Sequence, residues 1–224
     1  TGLESGRSLE DFDLALVSCS YHLELLNLPF LLQRSGLPLW AGERGEGCPP
    51  LVLGGSSALA SQALLREDGD CLADGLFFGE GEGQVEALVR ALVERRGEPK
   101  RARLEAAASV RGFWPAGSLQ RVVTQAVYRP EEAPEPAGPP AVPTLPAPTC
   151  PVLPGPEAST ARLTLSYGCP FRCSFCFEGY ERRPYRPVPA PRLLAQARRL
   201  KAACGASTLE LSSFNVNTHP DLPR

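Results

Sequence analysis

The sequence predicts an α/β protein in two parts: a partial Rossmann-like open sheet, then, past a proline-rich linker, the opening of a β/α barrel of partial TIM type. Three observations carry that expectation. Short apolar runs alternate with helical patterns up to Gly97, eleven prolines fall between Pro130 and Pro156, and a strand, loop, helix, strand pattern starts after residue 160.

The elements follow in order. DLALVSCS (13–20) is an apolar run of strand length, and HLELLNLPFLLQRSG (22–36) has the spacing of a helix that stops at Gly36. PLVLGGSS (50–57) reads as a second strand with a Gly-rich turn, SQALLRE (61–67) as a connection, and LADGLFFGEGEG (72–83) as a third strand and loop. Val85, Leu88, Val89, Leu92 and Val93 then recur on one helical face, with Glu82 and Glu86 at its start and Arg95, Arg96 and Gly97 at its end, where each charge suits the helix dipole. Strands alternating with helices imply parallel β-α units. Three strands are fewer than a doubly wound domain needs, so the remainder are expected upstream of residue 1.

No helix or central strand tolerates the proline density of 130–156, so this stretch is expected to be a stiff, extended linker. Order resumes at ARLTLSYG (161–168), where Leu163 and Leu165 alternate with polar neighbours. A helix is expected from Pro191 to Ala203, with apolar Leu193, Leu194, Ala197 and Leu200, Cys204 continuing that face, and a stop at Gly205. STLELSSF (207–214) is the next strand. Strand, loop, helix, strand opens a β/α barrel, whose functional loops leave the carboxyl ends of the strands.

Composition narrows the function. The 224 residues include 43% apolar residues, enough for a buried core, and carry a net charge of −2 with no basic stripe, which does not favour nucleic acid. There is no signal-like or membrane-spanning apolar run, so a soluble, cytoplasmic protein without a membrane partner is expected. Only Lys100 and Lys201 are lysines among 23 basic residues, a bias typical of a GC-rich bacterial genome. The absence of any Met and the stop just after a strand read as a piece of a longer protein, inactive by itself.

The chemistry is concentrated in YGCPFRCSFCFEGY (167–180). Cys169, Cys173 and Cys176 lie four and three residues apart directly after a strand, in a compact all-thiolate loop that suits one face of an iron-sulfur cube. Three ligands on four irons leave one iron open. A structural zinc site would need a fourth ligand, with Cys204 and His219 as candidates, and an electron-transfer ferredoxin would need a fourth nearby Cys. Cys204 reads instead as core packing.

Cys169-Pro-Phe-Arg-Cys173-Ser-Phe175-Cys176 resembles the signature loop of the radical S-adenosylmethionine (SAM) superfamily, CxxxCxxC with an aromatic residue before the third Cys. The resemblance implies a [4Fe-4S] cluster on Cys169, Cys173 and Cys176, SAM on the open iron, Phe175 near the SAM adenine, and an external electron donor of flavodoxin or ferredoxin type. Where that superfamily often has a Gly-Gly-Glu-like SAM contact, this chain has Ser212, Ser213 and Asn215, which could hydrogen-bond the SAM amine or carboxylate. Arg182, Arg183 and Arg186 read as a solvated loop rather than an anion-steering group.

The first segment is similar to the cobalamin-binding-type domain that precedes many radical SAM domains. Ser18 and Ser20, Gly54 and Gly55, and Gly79 and Glu80 mark three strand ends where small residues would let a cofactor approach the backbone. The Asp-x-His-x-x-Gly motif of cobalt-ligating domains is missing, since Ser20 and Leu25 flank His22, so His22 is expected only to start a helix. The expected organisation is a cobalamin-binding-like domain at 1–128, a linker at 129–160 and the start of a radical SAM domain at 161–224. The expected function is radical SAM chemistry on an unidentified substrate, the alternative being a non-catalytic iron-sulfur or cobalamin-binding module.

Overall fold

The computed structural model describes residues 5–118, 123–129, 160–204 and 207–222. The fold is mixed α/β with a mainly parallel open sheet and no closed barrel among the described residues. The chain divides into two compact units, Thr1–Ala126 and Val127–Arg224.

In the first unit β1 (Ala15–Ser18), β2 (Leu51–Gly54), β3 (Gly75–Phe77) and β4 (Phe113–Pro115) form a four-stranded sheet in that order. β1, β2 and β3 run parallel, and β4 is antiparallel to β3. β2, β3 and β4 are buried on both faces, as a sheet with helices on either side requires, whereas edge strand β1 leaves Leu16 half exposed. Leu51, Leu53, Leu76 and Trp114 pack on one face with Leu25, Leu28 and Leu32, the latter two from α1 (Leu28–Arg34). Val52, Phe77 and Phe113 pack on the other with Leu88 and Leu92 of α2 (Gln84–Val93) and Ala107 of α3 (Lys100–Ala107).

The expected helix at 22–36 is two pieces, a 3-10 helix at His22–Asn27 and then α1, with Pro29 in its first turn. His22 opens the 3-10 piece, as expected. The connection expected at 61–67 is a 3-10 helix at Ala58–Leu64. The expectation that all further strands lie upstream is corrected by β4, a fourth strand within the chain, reached through α3. It is short, ends on proline and lies at the sheet edge, where a missing N–H is harmless.

One buried ionic group ties this unit together. Asp74, 1% exposed, accepts from Leu51 N–H at 2.9 Å and Arg44 Nε at 3.1 Å, while Lys100 Nζ lies 3.2 Å from its other oxygen. The rest of the Arg44 fork donates to the carbonyls of Pro38, Leu39 and Leu72. Both cations share the one carboxylate, and Lys100 Nζ also donates to Arg44 O at 2.6 Å, so each buried charge has partners, which is the condition for burying it.

In the second unit β5 (Thr160–Thr164) pairs in parallel with β8 (Thr208–Ser212), and β6 (Ser166–Tyr167) pairs antiparallel with β7 (Arg186–Pro187). Between them lie α4 (Glu178–Glu181) and α5 (Ala190–Cys204), which packs on β5. Leu163, Leu165 and Leu200 are buried as expected, but Leu194 is 59% exposed, because only part of the α5 face meets the two-stranded sheet. The Cys204 side chain, the Gly205 stop and the proline-rich stretch 130–159 lie outside the described residues.

Candidate metal centre

The cysteine loop is tied off at its neck before any ligand is considered. β6 and β7 bring Tyr167 opposite Arg186, and Val188 N–H donates to Leu165 O at 2.8 Å. Gly168 turns the chain out of β6 with φ +70°, and a Cβ there would sit 2.5 Å from Arg182 O and 3.1 Å from Pro184 O. Only glycine permits both the left-handed turn and that backbone contact.

From this neck the loop carries three free thiols: Cys169 and Cys176 half-buried, Cys173 exposed. Cys176 N–H donates to Cys173 O at 3.0 Å, and the Tyr180 hydroxyl of α4 reaches back to Arg172 O at 3.1 Å. The loop is thereby held from its far side as well. Phe171, Phe175 and Phe177 stand out at 50%, 90% and 45% exposure. Phe175, expected near an adenine, therefore presents almost its whole ring to incoming material.

The donor set fits an iron-sulfur cluster better than zinc. All three donors are sulfur, and in a cube each thiolate meets a different iron, so they need not converge on one point. Among the described residues no three His, Cys, Asp or Glu side chains converge as on a single metal ion. His219 is unavailable as a fourth ligand: it is 6% exposed, its Nε2 donates to Val188 O at 2.9 Å, and its Nδ1 accepts from Asp221 N–H at 3.2 Å.

The other expected residues fare unevenly. Ser213 Oγ lies 2.6 Å from Ser166 Oγ and accepts from Asn215 N–H at 3.2 Å, so it is engaged in joining β8 to β6. Ser212 gives its carbonyl to Leu165 N–H at 2.8 Å, and Asn215 gives its carbonyl to Thr218 Oγ1 at 2.9 Å. All three sit at the carboxyl end of β8. Arg182, Arg183 and Arg186 are not a solvated loop: each is half-buried. Arg182 lies 3.7 Å from Glu181, the Arg183 guanidinium lies over Tyr180 at 5.0 Å, and that of Arg186 over Tyr128 at 4.2 Å and Tyr167 at 5.3 Å. Aromatic faces, which the loop sequence alone did not bring into view, cover Arg183 and Arg186.

A cavity of about 690 Å³ borders the first half of the loop, lined by Pro170, Phe171, Tyr185, Asn217, Thr218 and His219. Its size is in the range of small-molecule sites. The sequence hid it, since the stretch 216–222 has no motif; Tyr185 joins it by donating to Thr218 O at 3.3 Å.

The strand ends expected as a corrinoid site set small residues close to the chain's own backbone. Ser18, Ser20, Gly54, Gly55, Gly79 and Glu80 do gather at the carboxyl ends of β1, β2 and β3. A Cβ on Gly55 would meet Cys19 O at 2.4 Å, however, and one on Gly79 would meet Ala126 O at 2.1 Å. The chain's own backbone fills the space those glycines open. Ser20 O accepts from Ser56 and Ser57, and Glu80 N–H donates to Ala126 O. The cavity beside Ser18 and Cys19 is only about 90 Å³.

Comparison with known proteins names the class. Residues 1–115 match the family model described as radical SAM proteins, N-terminal. The chain belongs to that family. The matched stretch lies within the first unit, while the cysteine loop lies in the second. No curated protein matches the chain. Among solved structures it is similar to the radical S-adenosylmethionine methyltransferase TsrM from Kitasatospora setae, determined with tryptophan substrate and the SAM analogue aza-SAM bound. Identity is 14%, the TM-score is 0.47, and the match covers 92% of this chain and 38% of that one. No helix among the described residues is long and apolar enough to cross a membrane.

Proposed function

We propose that this chain is part of a radical SAM enzyme in which Cys169, Cys173 and Cys176 hold a [4Fe-4S] cluster with one iron left for SAM. The observation that carries the reading is a loop of three free thiols held shut at its neck by the β6–β7 pair and glycine contact, directly after the carboxyl end of β6. When bound, the cluster supplies an electron to SAM, whose C–S bond breaks to give methionine and a 5′-deoxyadenosyl radical able to abstract hydrogen from a substrate.

The chain's own residues do the rest. The three thiolates fix the cluster, and Phe175, open to the front of the loop, supplies a face for the adenine. The cavity beside Phe171 and Tyr185 receives the remainder of SAM or the substrate. Ser212 and Asn215 offer side chains at the carboxyl end of β8 for the SAM amine or carboxylate, whereas Ser213 already serves Ser166. An external donor of flavodoxin or ferredoxin type delivers the electron. Because the space beside Gly55 and Gly79 is filled, no corrinoid enters this proposal.

The test is product formation by the full-length protein, reconstituted anaerobically and given dithionite and SAM. The expected product is 5′-deoxyadenosine, lost in Cys173→Ala. A fully loaded cluster that yields none would reject the enzyme reading in favour of a non-catalytic iron-sulfur module.

A further inference from the structure

The cysteine loop runs out at Gly168 and back at Tyr185, so the geometry of its thiols depends on what closes the neck between Tyr167 and Arg186. Two-residue strands are short for that task, since an isolated pair of such length is marginal in water. A third element is present. Tyr128, which precedes the proline-rich stretch, donates its backbone N–H to Arg183 O at 3.1 Å, and its ring lies 4.2 Å from the Arg186 guanidinium. The same guanidinium also lies over the Tyr167 ring, at 5.3 Å. Arg186 Nη1 also donates to Arg183 O at 3.2 Å and Pro184 O at 3.3 Å. Those carbonyls belong to the segment on which Gly168 rests, 3.1 Å from Pro184 O to where its Cβ would be.

We propose that Tyr128, Arg186 and Tyr167 form a cation–π clamp that keeps the neck of the cysteine loop closed, which makes Tyr128 a positioning residue for thiols that lie beyond the whole proline-rich stretch. The chemistry asks for these residue types. A guanidinium is planar, so it lies on aromatic faces while its N–H groups still reach carbonyls in its own plane; an ammonium does only one of these well. The loop closed by the clamp is long enough that closure costs chain entropy, and each added tie at the neck lowers the population of open loops. This inference deepens the proposed function, because its consequence is cluster retention, but the clamp is a property of the metal-free chain too.

That gives two readouts. In the metal-free full-length protein, trypsin cleaves the Arg182–Arg183 bond inside the neck only when the neck opens, whereas Arg183 and Arg186 precede proline. Tyr128→Leu, which keeps bulk without an aromatic face, is expected to be cut there several-fold faster than wild type, and Tyr128→Phe at the wild-type rate. Tyr128 is half-buried and outside the main cores, so neither substitution threatens folding, and Arg186→Lys should behave like Tyr128→Leu. In the reconstituted protein, chelator-driven iron loss should follow the same order, several-fold faster for Tyr128→Leu and Arg186→Lys and unchanged for Tyr128→Phe. Equal cleavage of wild type and Tyr128→Leu overturns the clamp. So does equal cleavage of Tyr128→Phe and Tyr128→Leu. If the cleavage order holds but wild type takes up no cluster, the clamp stands and the proposed function fails.

Discussion

Asp74→Ala is the substitution whose cost the structure sets most sharply. The wild-type carboxylate is 1% exposed and meets two buried cations and one backbone N–H. Its removal strands Arg44, whose side chain is fully buried, next to Lys100 with no counter-charge. Breaking a buried pair from one side costs about 3–5 kcal/mol. The orphaned Leu51 N–H adds about 1–3 kcal/mol, only partly independent of the first loss, giving roughly 4–6 kcal/mol. For a unit of this size that is roughly 15–25 °C in Tm. Lys100→Met leaves the Arg44–Asp74 pair intact and should cost about 1–2 kcal/mol. Both tryptophans, Trp40 and Trp114, lie in this unit, so urea unfolding followed by Trp fluorescence reports on it directly. An Asp74→Ala midpoint within about 1 kcal/mol of wild type, or equal costs for both variants, would show that the carboxylate is not the hub.

The thiols and the strand ends set three further outcomes. In the metal-free protein, iodoacetamide should label exposed Cys173 first, then Cys169 and Cys176, and should reach Cys19 and Cys71, at 2% and 0% exposure, only on unfolding; mass mapping over time checks the order. Burial pushes the Cys71 thiol above its usual 9.0. A raised folded pKa favours the native state only while the unfolded chain also keeps the proton, so stability should fall as pH rises past about 9, less steeply in Cys71→Ala, as urea midpoints at pH 8 and pH 10 would show. Protein purified from cells supplied with cobalamin should lack corrinoid absorbance, because the chain's own backbone occupies the space beside Gly55 and Gly79; a bound corrinoid would refute that assignment.

The parts of the fold visible in the sequence are those with a strong local signal. The apolar runs of β1, β2 and β3, the face of α2, and the strands at 161–168 and 207–214 all declare themselves by their residue pattern. β4 did not, because Phe113–Pro115 is three residues long and is a strand only by pairing with β3. β7 is shorter still. At the site, the cysteines were legible because ligand spacing is local. The engagement of His219, the partnership of Ser213 with Ser166, and the Tyr128–Arg186–Tyr167 stack were not, since each joins residues far apart in sequence. The glycines of the strand ends show the converse: small residues permit a close approach without saying what approaches, and at Gly55 and Gly79 it is the chain itself.

The central claim is that three thiolates leave one iron open to SAM. Its most direct test is the electron paramagnetic resonance spectrum of the dithionite-reduced, reconstituted full-length protein with and without SAM. The predicted result is a [4Fe-4S]⁺ signal whose g-values shift when SAM is added. A cluster signal that SAM leaves unchanged, at concentrations where SAM binding is confirmed independently, would contradict an open iron on this loop.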